Sequence, residues 1–254
     1  TDVDFLGTET NFVGLKNYIS LLKNPEFWNS FGKSIIWTVG NAVVQVILGF
    51  ATALIINQKF KGQKFAQTWI ILPWILPTIV VAIIWRWVLS CTFGILNYIL
   101  QAIHIIEHPI NFLGTLQMAM PTLIFINSWR WFPFFGIIIF AALQTIPQDL
   151  YDAAEIDGTN NIQKFKYITF PMLKPTLSVL GVVGTLWSIN IFDVIWMLTR
   201  GGPAGGTVTL PVFIYKKAFQ DYTMSEAATA AVLFSLFLIL FIAFFTKLDS
   251  TFDE

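Results

Sequence analysis

Long apolar runs alternate with short polar stretches along this chain, and the runs are of membrane-spanning length. A helix needs about 20 mostly apolar residues to cross hydrocarbon. Five stretches meet that requirement, roughly 31–57, 66–90, 117–143, 175–199 and 227–246. They are continuous runs and lack the weak two-residue alternation of a membrane β-barrel. The pattern therefore predicts an all-α fold, a polytopic helical membrane bundle with five spans inside 31–246. Pro73 and Pro77 in ILPWILP remove backbone donors four residues apart and predict a kink in the second span. Residues 1–30 read as a linker with a surface helix around Leu15 to Leu22, and 247–254 as a tail.

One polar segment is more than a connector. In QDLYDAAEIDGTNNIQKFKYITFP, within 147–171, Pro147 suits a helix start, and acids in the first turn complement the helix dipole. Ala153 and Ala154 are strong helix formers. Gly158 fits the left-handed position that ends a helix. Thr159 or Asn160 then caps a second helix, whose Ile162, Phe165 and Ile168 form a one-sided apolar stripe until Pro171 stops it. Two readings fit this hinged helix pair: a surface seal against headgroups, or a docking element for a soluble partner.

Orientation follows from Lys and Arg in short loops. Lys59, Lys61 and Lys64 crowd the loop after the first span, and 144–174 holds Lys164, Lys166 and Lys174, whereas 91–116 has neither Lys nor Arg. Alternation then puts 58–65, 144–174 and the C-terminal tail in the cytoplasm, although Arg200, Lys216 and Lys217 fall on the outer side. Five spans with a cytoplasmic C-terminus leave Thr1 outside the cell. With no signal peptide to carry it there, at least one further span upstream is expected.

Composition narrows the classes. Of 254 residues 56% are hydrophobic and 12% charged, about half the charged fraction of a soluble domain. The formal net charge of zero argues against nucleic acid as a partner. The single Cys91 cannot form an internal disulfide. No GxxxxGK[ST] run exists to cradle ATP phosphates, and GGPAGG at 201–206 reads as a turn at a span end. HIIEH at 104–108 matches the H-x-x-E-H zinc pattern, but Pro109 follows directly and no supporting ligands appear, so no metal site is expected.

DAAEIDG followed by ITFP resembles the coupling motif of binding-protein-dependent importers of the ATP-binding-cassette class. WRWFPFFGIIIFAALQTIPQDLYDAAEIDGT, FDVIWMLTRGGP, IIWRWVL…FGILN and FVGLKNYISLL resemble their carbohydrate branch, the maltose and glycerol-phosphate type permeases, over nearly the full chain. The resemblance implies an inner-membrane, multi-pass permease subunit that does no covalent chemistry and binds no cofactor. ATP and magnesium would sit on two partner ATPase subunits. A second permease, either another chain or a copy of this one, would share the translocation path, and an extracytoplasmic solute-binding protein would deliver a sugar or oligosaccharide. It implies that 147–171 is a cytoplasmic coupling loop docking into the ATPases. Asp152 would occupy the motif's acidic position, Ala153 and Ala154 its alanines, and Gly158 its glycine. The family has Glu where this chain has the shorter Asp152; Glu155 is the next acid along.

Polar and aromatic residues inside spans are the candidates for solute contact, because intramembrane charge is costly and faces the bundle interior. NSWRWFPF places Asn127, Arg130 or Trp131, and Phe134 on one helical face. Gly184, Ser188 and Ile191 share a face in the next span, with Trp187 beside them. Aromatic rings and hydrogen-bonding groups suit a sugar, and the resembled family builds its solute site from these two spans. Arg130 also suits an anionic solute such as a glycerol phosphate. Trp85, Arg86 and Trp87 read instead as interfacial anchors. Asp193 is the acid that an ion-coupled secondary transporter, the rival reading, would use as a relay; a helix-packing hydrogen bond is the other role open to it.

Overall fold

The computed structural model describes residues 2–3, 10–58 and 60–250. Of the linker and tail expected at the two ends, residues 1, 4–9 and 251–254 lie outside the described residues, as does Lys59. The fold is all-α apart from a two-residue antiparallel ladder of Asp2–Val3 with Thr10–Asn11. The short α1 (Lys16–Leu22) precedes the first long helix, α2 (Pro25–Asn57). Later long helices are α7 (Leu116–Gln144), a continuous helix over Asn161–Ile189, and α13 (Met224–Ser250).

Two expected spans differ from the sequence reading. The stretch 66–90 is not one kinked helix but three pieces: α3 (Gln63–Ile70), α4 (Leu72–Ile75) and α5 (Thr78–Val88). Leu76 is extended, with ψ 133°, because a residue before proline is pushed out of the helical region and Pro77 has no N–H to donate. The expected span 175–199 begins earlier and stops sooner. Its helix opens as α9 (Asn161–Lys164), passes through a π turn at Phe165–Thr169 and continues as α10 (Phe170–Ile189). Pro171 does not stop it. The π turn closes with the Phe170 N–H donating to the Phe165 carbonyl, five residues back, and the helix runs on through Pro171. The helix ends at Ile189 because the Asn190 side chain donates to the Leu186 carbonyl at 2.8 Å, competing with the backbone ladder. The chain then restarts as α11 (Asp193–Thr199).

The chain divides into two compact units. The first comprises Thr1–Gly40, Thr78–Ile124 and Leu186–Glu254. It includes α1, the start of α2, α5, α6 (Ile95–Ala102), α11, α12 (Leu210–Phe219) and α13. Leu21, Phe27, Leu210, Phe213, Ala230 and Phe234 are its core. Side chains settle its helix ends. Trp37 Nε1 donates to the Ser188 carbonyl at 2.8 Å, Arg86 Nη2 donates to the Met197 carbonyl, and Ser34 Oγ accepts from Leu210 N–H at 2.7 Å.

The second unit comprises Asn41–Pro77 and Phe125–Thr185, with Ala53, Phe135, Ile139, Leu143, Leu173 and Leu180 at its centre. Gly49 and Gly136 let α2 and α7 approach closely. A Cβ on Gly49 would lie 2.7 Å from Phe135 Cβ, and one on Gly136 would lie 2.9 Å from Thr52 Cγ2. Small residues serve this purpose at intramembrane helix contacts. A fully buried polar knot joins the same helices, where Asn41 Oδ1 accepts from Asn127 Nδ2 (2.6 Å), Ser128 Oγ (3.2 Å) and Gln45 Nε2 (3.3 Å).

Lys217 closes the first unit at the ends of three helices, meeting Glu26 (3.4 Å), Asp221 (3.3 Å) and Glu226 (3.5 Å). Burial alone would lower its pKa, but Glu226, Asp221 and Glu26 together outweigh burial and raise it above 10.5. A raised lysine pKa means that the stabilisation is complete below pH 10.5 and fades as pH climbs through the higher folded value. Lys217→Met is therefore expected to lower the Tm by about 2–4 °C near neutral pH, the shift of about 1 kcal/mol in a chain of this size. Thermal melts across pH should show the gap from wild type closing only above pH 10.5.

Candidate functional site

The segment 147–171 stands on the second unit as a helix, a glycine hinge and a second helix. α8 (Gln148–Ile156) has Pro147 at its N-cap and Asp149 in its first turn. It ends in a Schellman motif, in which Gly158 N–H donates to the Glu155 carbonyl and Thr159 N–H to the Ala154 carbonyl, both at 3.1 Å. Gly158 has φ +74°, the left-handed region that glycine enters at no steric cost. Asn160 opens α9 with a reciprocal capping box, its Oδ1 accepting from Gln163 N–H while Gln163 Oε1 accepts from Asn160 N–H, each 2.9 Å.

Ala154 is buried, and Tyr151 and Thr169 share a hydrogen bond of 2.9 Å that ties α8 to the π turn. Asp152, Ala153, Glu155 and Gly158 are exposed. Lys164 reaches across the hinge to Glu155 at 3.0 Å, while Asp152 Oδ1 accepts from Gln148 Nε2 at 3.1 Å. Both acids thus have a partner inside the segment, and both remain exposed. The expected stripe divides. Ile168 packs against the core of the second unit, but Ile162 is 77% exposed, and Ile156, which sequence reasoning did not single out, is 88% exposed. The signal for Ile156 was in the sequence, as a large apolar residue beside two acids on a short helix.

The solute candidates are less united than expected. Arg130, Trp131, Phe134 and Gly184 belong to the second unit; Trp187, Ser188 and Ile191 belong to the first. In the second unit the rings of Trp131 and Trp74 lie 6.2 and 5.6 Å from that of Phe134, and the Arg130 guanidinium sits 5.8 Å from the Trp131 ring. Gly184 does not offer a free face, because a Cβ there would stand 2.7 Å from Phe135 Cζ. Its role is close packing. Asn127, fully buried in the knot with Asn41, is helix glue rather than a pathway residue.

In the first unit Trp187 is half-exposed, Ser188 is buried with its carbonyl held by Trp37, and Ile191 lies beyond the helix end, so the face expected of Gly184, Ser188 and Ile191 does not extend to its last member. Phe134 also walls a cavity of about 480 Å³ with Ile138, Pro175, Val179 and Val183. Thr176 is the one hydroxyl among its lining residues, so this cavity fits hydrocarbon or another helix better than a polyhydroxyl solute.

The remaining candidates have structural roles. Asp193 takes Thr78 Oγ1–H on Oδ2 at 2.6 Å and Val194 N–H on Oδ1 at 2.9 Å. With Arg86, it fastens α5 to α11, which is the packing role. His104 and His108 lie outside any helix, and no group of three metal-ligating side chains occurs among the described residues. The 201–206 segment is a turn, closed by Thr207 Oγ1 donating to the Gly202 carbonyl at 2.8 Å and by Lys33 Nζ donating to the Gly205 carbonyl at 2.7 Å.

Comparison with known proteins gives this geometry a context. The chain is 35% identical to the trehalose/maltose transport system permease protein MalF of Thermococcus litoralis, over 96% of this chain and 80% of that one. It is 31% identical to the inner membrane ABC transporter permease protein YcjO of Escherichia coli K12, over 92% and 78%. Among solved structures, a bacterial ABC transporter that imports the acidic polysaccharide alginate has a chain that superposes with a TM-score of 0.87 at 22% identity, covering 98% of this chain and 88% of its own. Residues 45–250 match the family model described as binding-protein-dependent transport system inner membrane component. The chain belongs to that family: it is a permease component of an ATP-binding-cassette importer.

Proposed function

We propose that the chain is one of two permease subunits through which such an importer moves a sugar or oligosaccharide, with residues 147–171 as its coupling element on the cytoplasmic side. Two ATPase subunits would dock there and carry the ATP and magnesium, and the chain itself would bind no cofactor. An extracytoplasmic solute-binding protein would deliver the solute. The observation that carries the reading is the exposed surface of Asp152, Ala153, Ile156 and Ile162. These side chains project from a capped helix pair whose buried side, Tyr151 and Ile168, is packed into the unit that holds α7. Exposed isoleucines beside small alanines suit a groove in a partner, and Asp152 suits a basic residue at its edge. A carbohydrate substrate is supported by the trehalose/maltose relative, by the sulfoquinovosyl glycerol permease SmoG of Agrobacterium fabrum at 29% identity, and by the alginate importer. The ion-coupled rival finds less support, since Asp193 accepts from Thr78 of α5 on one oxygen and from the Val194 N–H of its own helix on the other.

Reconstituted in proteoliposomes with its partner subunits, the chain is expected to support ATP hydrolysis that a sugar-loaded binding protein stimulates. Uptake driven by an ion gradient with no ATPase present would overturn the proposal. Gly158→Val forces a branched side chain into the left-handed region, at a cost of about 1–2 kcal/mol. It should cut ATP-driven uptake at least fivefold, a factor that about 1 kcal/mol supplies, while Gly158→Asn retains it. Equal uptake by both variants would remove the hinge from the coupling element. Arg130→Ala should weaken uptake of an anionic solute more than that of a neutral one, as read from paired uptake assays.

A further inference from the structure

The break between α10 and α11 leaves irregular backbone deep in the first unit. Residues 190–192 belong to no helix, and Asn190 is exposed. Their depth follows from α2. The C-terminal ends of α2 and α7 meet where Gln144 Nε2 donates to Asn57 Oδ1 at 2.5 Å. α2 therefore ends beside the 147–171 segment and begins at the opposite face of the membrane. Trp37, whose indole holds the Ser188 carbonyl, lies twelve residues beyond the start of α2 at Pro25, about 18 Å along the axis. Around it Ile35, Ile36 and Val39 are exposed as hydrocarbon-facing residues are. The break thus stands at hydrocarbon depth. Non-helical backbone is tolerated there only where protein buries it or water reaches it, and this chain does not bury Asn190.

Four aromatic rings lead from the break toward the outer face. Phe192 at the break and Trp196 one turn on are stacked at 5.5 Å, their planes 19° apart. Both meet Tyr215 of α12, at 4.8 and 4.6 Å, and Tyr215 meets Phe219 at 5.1 Å. α12 starts at the level of Ser34, which accepts the Leu210 N–H. Its last turn holds Lys217, which meets Glu26 at the start of α2 and Glu226 at the start of α13. The rings therefore follow the depth of the membrane, whereas an interfacial belt holds its aromatic residues at one depth. Phe192, Trp196 and Tyr215 are half-buried and Phe219 is 59% exposed. The Trp196 indole N–H and the Tyr215 hydroxyl make no hydrogen bond within the described residues.

We propose that Phe192, Trp196, Tyr215 and Phe219 form an aromatic slide over which a pyranose sugar passes from the outer face to the break at Asn190. The inference rests on the sugar-importer reading above. A pyranose ring carries C–H groups on its faces and hydroxyls around its edge. Its faces stack on the rings, while Trp196 Nε1, Tyr215 Oη and Asn190 Oδ1 are left to meet its hydroxyls. Asn190 Nδ2 is already held by the Leu186 carbonyl. None of these five side chains is charged, so a metal ion, an amino acid or an inorganic anion finds no counter-charge here. An acyl chain would satisfy the rings but would leave the polar atoms unmet.

The test uses the complete importer in proteoliposomes, with the exposed Cys91 changed to Ser and a membrane-impermeant thiosulfonate as the probe of water access. Asn190→Cys is expected to react, with Val39→Cys on the hydrocarbon face as the unreactive reference. At about 10 mM, maltose on a site of about 1 mM affinity should slow this modification about tenfold by occupancy. Trp196→Leu and, at the exposed end, Phe219→Ala should each lose most of that protection when added to Asn190→Cys, and Trp196→Phe should keep it. Modification of Asn190→Cys no faster than that of Val39→Cys would mean that lipid or a partner subunit covers the break, and would overturn the slide. So would a reactive Asn190→Cys that maltose leaves unprotected, or full protection in both Trp196→Leu and Phe219→Ala. ATP hydrolysis stimulated by a sugar-loaded binding protein is read on the same vesicles. If it persists while protection fails, only the slide is lost; if it fails as well, the importer reading is lost with it.

Discussion

In hydrocarbon there is no water to take up a backbone N–H or C=O that a helix leaves unpaired, so the ends and breaks of helices govern what this chain can do. The first unit answers this requirement with side chains from distant positions. Trp37 covers a carbonyl at the end of α10, Arg86 one in the last turn of α11, and Trp28 one in the last turn of α1, while Ser34 receives a first-turn N–H of α12. Lys33 does the same for the 201–206 turn. Each of these bonds completes a helix end and also fixes which helices are neighbours. Residues that composition alone would file as interfacial anchors or stray polar groups are in this way the joints of the fold.

The second unit solves a different problem. It holds within one packed core the residues that stand behind the exposed surface of α8 and α9 and those of α7. Tyr151 and Ile168 pack against the same cluster as Phe134 and Ile138, so a push on α8 meets close-packed side chains rather than a flexible tether. The Schellman glycine and the capping box set the turn between α8 and α9, and the Tyr151–Thr169 and Glu155–Lys164 contacts brace it. The outer surface of the pair is exposed, and its inner surface is packed on the core of the second unit.

The long apolar helices, the glycine at 158 and a cap at Thr159 or Asn160 were legible in the sequence because each depends on local chemistry: hydropathy over twenty residues, a left-handed φ, a polar side chain one turn from its target. The break at Leu76–Pro77 was legible only as a kink, since hydropathy does not register whether a proline bends a helix or divides it. The early end at Ile189 was missed because Asn190 reads as an ordinary polar residue in a span until its side chain is seen on the Leu186 carbonyl. Gly184 was misread for a similar reason. A small residue on a helical face looks like room for a solute, and only the Phe135 ring against it shows that the space is filled. The first two withheld features are local geometry that residue type alone does not fix, and only Gly184 turned on a contact with a residue far away in the chain.

The π turn at Phe165–Thr169 carries one residue more than an α-helix needs for the same advance, and an α-helix turns by about 100° per residue. That surplus sets the angular phase between α9 and α10. Losing or moving this single residue would rotate the whole face of α10 relative to α9 while leaving the sequence of both helices otherwise unchanged. The turn works as a phase adjuster between the two helices.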